Sequence, residues 1–170
     1  FSRTGTGIAH CPCSNMRLAS GIAPLRTWID KGVKVGLGVD GSSSNDSGHL
    51  LSEARQAMLL QRVNLGANKF SPREALFTAT RGGAEVLNRN DIGQISVGKA
   101  ADFAIYDLNK IAMSGAWSDP LAALVLCTPA ETSYTICNGQ VISQNGHLNN
   151  FDLNLSLEKH KVASKRLLDL

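Results

Sequence analysis

His10 and Asp40 are the two residues whose type and setting could do chemistry in this chain of 170. His10 closes a short apolar run, GIAH. Asp40 closes a longer one, VKVGLGVD, with a loop of small polar residues, GSSSND, directly behind it. In a parallel α/β sheet, ligands bind at the carboxyl ends of the strands. An imidazole and a carboxylate ending two successive strands could therefore share one rim, where they would hold a metal or move a proton. Each also has a structural reading. An aspartate at a strand end is often an Asx turn or a loop cap, and a histidine beside apolar residues is often a hydrogen-bonded core residue. Spacing does not separate these readings.

Other chemistries find less support. Ser42, Ser43 and Ser44 lie in no GxSxG elbow, and GLGVDG has the wrong spacing for a dinucleotide loop. No Walker-type loop is present. Cys11-Pro12-Cys13 lacks a second pair at zinc-ribbon spacing, and with Cys127 and Cys137 it reads as buried or loop thiols without a metal role.

The elements that must position His10 and Asp40 follow from periodicity. Gly7 to His10 reads as a strand, and CPCSN after it as a turn-rich loop. From Gly21 to Gly32, Ile22, Leu25, Trp28 and Ile29 fall on one helical face, with Pro24 in the first turn and Gly32 as a C-terminal cap. Val33 to Val39 has the near-continuous apolar character of a strand covered on both faces. This makes a βαβ unit. Leu50, Leu51, Ala54, Ala57, Met58 and Leu59 give a second helix, and Ser71-Pro72-Arg73-Glu74 opens a third with a capping box. Up to about Asn90 the order β, α, β, α, α fits the tail of an α/β barrel or a doubly wound sheet. Ile92–Leu108 and Ser133–His147 then alternate like strands, with Asn138-Gly139 as a hairpin turn and Asn145-Gly146 as a second turn. Asp152 to Leu170 has helical spacing. The expected division is 1–91, 92–150 and 151–170.

A net charge of +3 is spread along the chain. That gives no nucleic-acid footprint and no membrane-surface helix. No apolar run approaches the roughly 20 residues of a spanning helix, and FSRTGTG has no signal-peptide core. A cytoplasmic protein with a small-molecule partner is expected. The chain lacks an initiator Met and starts like the end of a helix turning into a strand, so it is expected to be cut on its N-terminal side.

The runs AHCPCSNMRLASGIAP and KGVKVGLGVDGSSSNDSGHLLSEARQAMLLQR closely resemble the metal-dependent amidohydrolase superfamily, in its aminohydrolase and chlorohydrolase branch. SPREALFTATRGGAEVLNRNDIGQISVGKAADFAIYDL is similar to that group's helix leading into a β-sandwich, and TICNGQVISQNGHL to its returning strands. Within the branch, the first two runs look most like the 8-oxoguanine deaminase subfamily. The resemblance extends over essentially the whole chain. It implies an α/β fold comprising the C-terminal portion of a distorted (β/α)8 barrel, with its last two strands and helices, plus part of a small composite β-sandwich.

The resemblance also implies site roles. In this family an aspartate after the eighth strand binds one divalent metal, usually zinc with iron as an alternative, and shuttles the proton between attacking water and leaving group. Asp40 is the residue that matches. His10, Ser14 and Asn15 match an HxPxSN pattern and are expected to contact substrate or shape the loop. Hydroxide would attack an amidine-like carbon of a purine or triazine ring, releasing ammonia, an amine or chloride. The family's HxH pair and further histidines find no match among His10, His49, His147 and His160. A zinc site needs about three protein ligands and a full barrel roughly 250 residues. The chain alone is therefore expected to lack tight metal binding and activity, and to be insoluble or misfolded because its sheet edges are unpaired. The complete enzyme is expected to be a homo-oligomer. The alternatives are a chlorohydrolase or another cyclic-amidine amidohydrolase, and, from a different class, a non-catalytic fragment used for assembly or binding.

Overall fold

The computed structural model describes residues 1–127 and 131–168. They fall into two units, Phe1–Ala100 with Asp107–Ala130, and Ala101–Tyr106 with Glu131–Leu170.

The first unit is built on two parallel strands, β1 (Ile8–His10) and β2 (Val35–Leu37), in the register Ile8↔Val35, Ala9↔Gly36, His10↔Leu37. Between them run α1 (Pro12–Arg17) and α2 (Leu25–Asp30). The residues CPCSN, expected as a loop, instead start a helix. Pro12 occupies its first turn, where a missing N–H costs nothing. The helix expected over Gly21–Gly32 is confined to Leu25–Asp30. Its first turn is capped from a distance, because the buried Gln61 accepts from the Arg26 N–H at 3.1 Å and donates to the Ala23 carbonyl at 2.9 Å.

The long helix α3 (Leu50–Leu65) buries Leu51, Ala54, Ala57 and Met58. Ala54, Ala57 and Met58 join Leu25, Val35, Phe70, Ala75 and Val125 in one core. The capping box is realised at α4 (Pro72–Phe77): Ser71 Oγ accepts from the Glu74 N–H, and Glu74 accepts from the Ser71 N–H. The helix continues through a widened π turn, Thr78–Gly82, into α5 (Gly83–Val86). There the backbone closes onto β2: a Cβ on Gly82 would sit 2.2 Å from the Val35 carbonyl oxygen, and one on Gly36 would sit 2.8 Å from Gly83 Cα. Glycine at positions 82 and 36 is thus a steric requirement of this packing. A further helix, α6 (Pro120–Leu126), opens on Asp119, which accepts from the Ala122 N–H. Asp-Pro ahead of LAALVL is a start signal that the sequence reading passed over.

The second unit is an antiparallel sheet of β3 (Phe103–Tyr106), β4 (Thr132–Cys137), β5 (Gln140–Gln144) and β6 (His147–Leu148), in that order. Both expected turns are present. Asn138 and Gly139 have φ of 48° and 78°, and Asn145 and Gly146 have 47° and 80°, the left-handed pairs that suit tight hairpins. The strand-like stretch from Ile92 forms a strand only at Phe103–Tyr106. Gly93 and Gly98 turn the chain at positive φ, and Ile95 and Val97 are exposed. The chain ends in α7 (Leu153–Leu168), none of whose described residues is buried. No described helix is long and apolar enough to cross a membrane.

Candidate active-site rim

β1 and β2 stay side by side beyond their last paired residues, since the Gly38 N–H donates to the His10 carbonyl at 3.0 Å. Two residues later Asp40 stands exposed, with φ at 65°. That left-handed conformation is costly for most side chains, and a short polar one tolerates it best. The Asp40 carboxylate is anchored at both oxygens. Oδ1 accepts from the Gly41 N–H at 2.7 Å, and Oδ2 accepts from the Ser14 hydroxyl at 2.7 Å. Ser14 is fully buried on α1, and its Oγ lies 2.8 Å from that of Ser44. Hydrogen bonding from Ser14, and then from the Gly41 amide, holds the Asp40 carboxyl below the usual carboxylate range. It is a ready ionised acceptor at neutral pH.

His10 is buried at the end of β1, edge-on to Trp28 with ring centroids 6.4 Å apart. Burial pushes its pKa below the ordinary 6.5, against the charge of Glu53, so the imidazole is neutral at pH 7. Its Nε2 is buried without a hydrogen-bond partner among the described residues. No hydrogen bond among those residues links His10 to Asp40. Asn15 is half-buried on α1; its N–H donates to the Cys11 carbonyl and its own carbonyl accepts from the Ser20 N–H. Of the four residues singled out by sequence, the structure therefore joins Ser14 directly to Asp40 and sets His10 and Asn15 on the flanking strand and helix.

Two residues that the sequence reading did not single out complete the rim. Glu53, fully buried on α3, accepts from the Cys13 N–H at 3.0 Å and from Asn45 Nδ2 at 2.6 Å. Asn45 Nδ2 also donates to the Val39 carbonyl at 2.7 Å. The available signal was a carboxylate set among Leu50, Leu51, Ala54 and Ala57, where an apolar residue would otherwise be expected.

The rim offers a metal one well-formed donor. Asp40 is ionised, exposed and held at both oxygens, as a ligand should be. Among the described residues, however, no group of three His, Cys, Asp or Glu side chains is placed to hold an ion, so these residues by themselves do not make a zinc centre.

Comparison with known proteins bears on what such a rim belongs to. The family model described as Amidohydrolase family matches residues 1–142. The chain is 44% identical over 168 residues to 8-oxoguanine deaminase of Pseudomonas aeruginosa, covering 99% of this chain and 37% of that protein. It is 39% identical over 173 residues to 5'-deoxyadenosine deaminase of Methanobrevibacter smithii, covering 100% of this chain and 39% of that protein. The crystal structure of atrazine chlorohydrolase TrzN from Arthrobacter aurescens TC1, complexed with zinc, matches with a TM-score of 0.87 at 36% identity, over 95% of this chain and 36% of that one. An adenosine deaminase from Xanthomonas campestris with bound zinc matches with a TM-score of 0.91 at 28% identity, over 96% and 38%. The chain spans less than two fifths of the length of each of these relatives. By the family match and these identities, the chain belongs to the amidohydrolase family.

Proposed function

We propose that this chain supplies the last strand-end carboxylate of a metal-dependent hydrolytic deaminase acting on a purine-like ring, with 8-oxoguanine as the leading substrate. In this reading residues 1–91 are the final portion of a (β/α)8 barrel, 92–150 contribute to a composite β-sandwich, and 151–170 close the chain. The remaining metal ligands come from outside the 170 residues, so the chain alone is inactive. The complete enzyme is a cytoplasmic homo-oligomer.

The observation that carries the reading is the Asp40 carboxylate. It is ionised and anchored by Ser14 and Gly41 at the carboxyl end of β2, in a chain 44% identical to 8-oxoguanine deaminase. The net reaction replaces a ring amino group by a carbonyl oxygen, consuming water and releasing ammonia. Asp40, with ligands from outside this chain, would hold one divalent metal, zinc first, which when bound would supply an acidified water, its pKa lowered from 15.7 towards about 7. Asp40 contributes a ligand oxygen, accepts the proton lost by the attacking water and passes it to the departing nitrogen. Ser14 keeps that carboxylate oriented and ionised. His10, Ser14 and Asn15 shape the adjoining wall against which the heterocycle lies.

A second reading, chlorohydrolysis of a triazine, is supported by the likeness to atrazine chlorohydrolase. The complete protein assayed with 8-oxoguanine, guanine, isocytosine and chlorotriazines separates the two. Ammonia release from the 8-oxopurine is the expected result. Chloride release from the triazine alone moves the assignment to the second reading, and turnover of none of them overturns both.

A further inference from the structure

Glu53 is wholly buried, yet no Lys or Arg is hydrogen-bonded to it among the described residues. Each of its oxygens instead serves a different strand-end segment. Oε2 takes the Cys13 N–H at 3.0 Å in the first turn after β1, and Oε1 takes Asn45 Nδ2 at 2.6 Å in the loop after β2. Both partners lead to Asp40. Cys13 precedes Ser14, whose hydroxyl holds Asp40 Oδ2 at 2.7 Å. Asn45 Nδ2 is also bonded, at 2.7 Å, to the carbonyl of Val39, the residue immediately before Asp40. Asp40 itself needs such restraint, because its φ of 65° persists only where the surroundings over-determine it.

We propose that Glu53 is a positioning residue of the reaction: by spanning the segments after β1 and β2 it fixes the Asp40 carboxylate against the Ser14 hydroxyl. The inference rests on the reading of Asp40 as the reacting carboxylate. The position demands a carboxylate. Both partners are N–H donors, and a carboxyl group of this length has an acceptor oxygen for each of them. Glutamine has the same size but turns one end into a donor facing a donor. Aspartate accepts at both ends but is one methylene too short to span the gap. The Cys13 thiol, pushed up to about 12 by burial and then by its hydrogen bond to Glu53, belongs to the same contact.

The test uses the complete enzyme with Glu53→Gln, Asn45→Ala and Asp40→Asn, alone and with Glu53→Gln combined with Asp40→Asn. Glu53→Gln is expected to lower kcat about 10- to 100-fold, the order of loss produced by misplacing a reacting group by an ångström, with KM changed less than threefold. Asn45→Ala, which frees Val39 and leaves the Cys13 contact, is expected to lower kcat by a smaller factor. In the Asp40→Asn background, Glu53→Gln should cost nothing further, because its effect passes through Asp40. A purely structural role would multiply the loss. Hydrogen exchange gives a readout independent of turnover: the Cys13 amide and the 39–46 loop should exchange faster in Glu53→Gln, with α4 unchanged. Wild-type kcat and exchange in both Glu53→Gln and Asn45→Ala, or a multiplicative loss in the double variant, overturns the proposal for Glu53. Full activity of Asp40→Asn overturns instead the reading of Asp40 on which it rests.

Discussion

The Ser14 hydroxyl donates to Asp40 Oδ2 at 2.7 Å, joining residues 26 apart in sequence through the end of one strand and the helix that follows its neighbour. The bond holds the carboxylate ionised as well as in place. Ser14→Ala in the complete enzyme removes the largest cause of the lowered Asp40 pKa. The carboxyl then titrates at higher pH, so the acid limb of the kcat/KM profile should move to higher pH. At pH 7 a loss of about tenfold is expected, within the range for a mispositioned group. A pH–rate series on wild type and variant checks both, and an unmoved acid limb contradicts the role given to Ser14.

The close approach of β2 to the π turn predicts a steric effect. Gly82→Ala places a Cβ 2.2 Å from the Val35 carbonyl oxygen, so the helix must move away from the strand. Overpacking of this kind costs about 1–3 kcal/mol or more. Gly115→Ala, at an exposed position with open space around a Cβ, should leave stability within about 0.5 kcal/mol of wild type. Urea unfolding of the two variants should therefore separate cleanly, and equal midpoints would show that the strand and the turn are not packed as described.

Glu74 links stability to pH. Burial acts to raise its pKa, but hydrogen bonds from Ser71 and the Arg26 guanidinium outweigh this and hold it below the ordinary value of 4.5. The unfolded chain therefore takes up this proton first as pH falls. The stabilisation is fully present above about pH 4.5 and is lost as pH drops through the lower folded-state value. Glu74→Gln should flatten that part of the stability curve while lowering stability at pH 7. Denaturation midpoints at pH 7, 5 and 3.5 measure it, and identical acid sensitivity of variant and wild type would exclude Glu74 as a source.

In the second unit, the turn between β4 and β5 depends on Asn138, which has φ of 48° and whose N–H donates to Asp102 Oδ1 at 2.7 Å. Asn138→Ala puts a less tolerant side chain in that conformation and should destabilise the hairpin by about 1 kcal/mol. Asn138→Gly should be neutral or slightly stabilising. Amide exchange across Thr132–Gln144 reports the difference, and faster exchange in the glycine variant would contradict the turn assignment.

Local chemistry was legible in the sequence wherever neighbouring residues settle the outcome. The capping box at Ser71 and Glu74, both Asn-Gly turns, the apolar face of α3 and the β1–α–β2 order need only local propensity and periodicity, and the structure contains them. Where a local signal has to compete, the reading was less complete. CPCSN looks like a loop because proline breaks ladders, but at a helix's first turn its missing N–H is no loss, and the next N–H, that of Cys13, finds Glu53 from another helix. Of the alternation after Ile92, only Phe103–Tyr106 finds a partner strand, β4, among the described residues, and a pattern becomes a ladder only with such a partner.

The candidate rim divides in the same way. The order of residue types placed Asp40 and His10 at strand ends, and resemblance singled out Ser14 and Asn15 beside them. Tertiary packing alone brought the Ser14 hydroxyl to Asp40, left His10 Nε2 buried without a hydrogen-bond partner among the described residues, and buried Glu53 between two segments. A carboxylate is tolerated at zero exposure only when donors from elsewhere in the fold converge on it. That convergence depends on distances between residues far apart in the chain, which no pattern of neighbouring residues encodes.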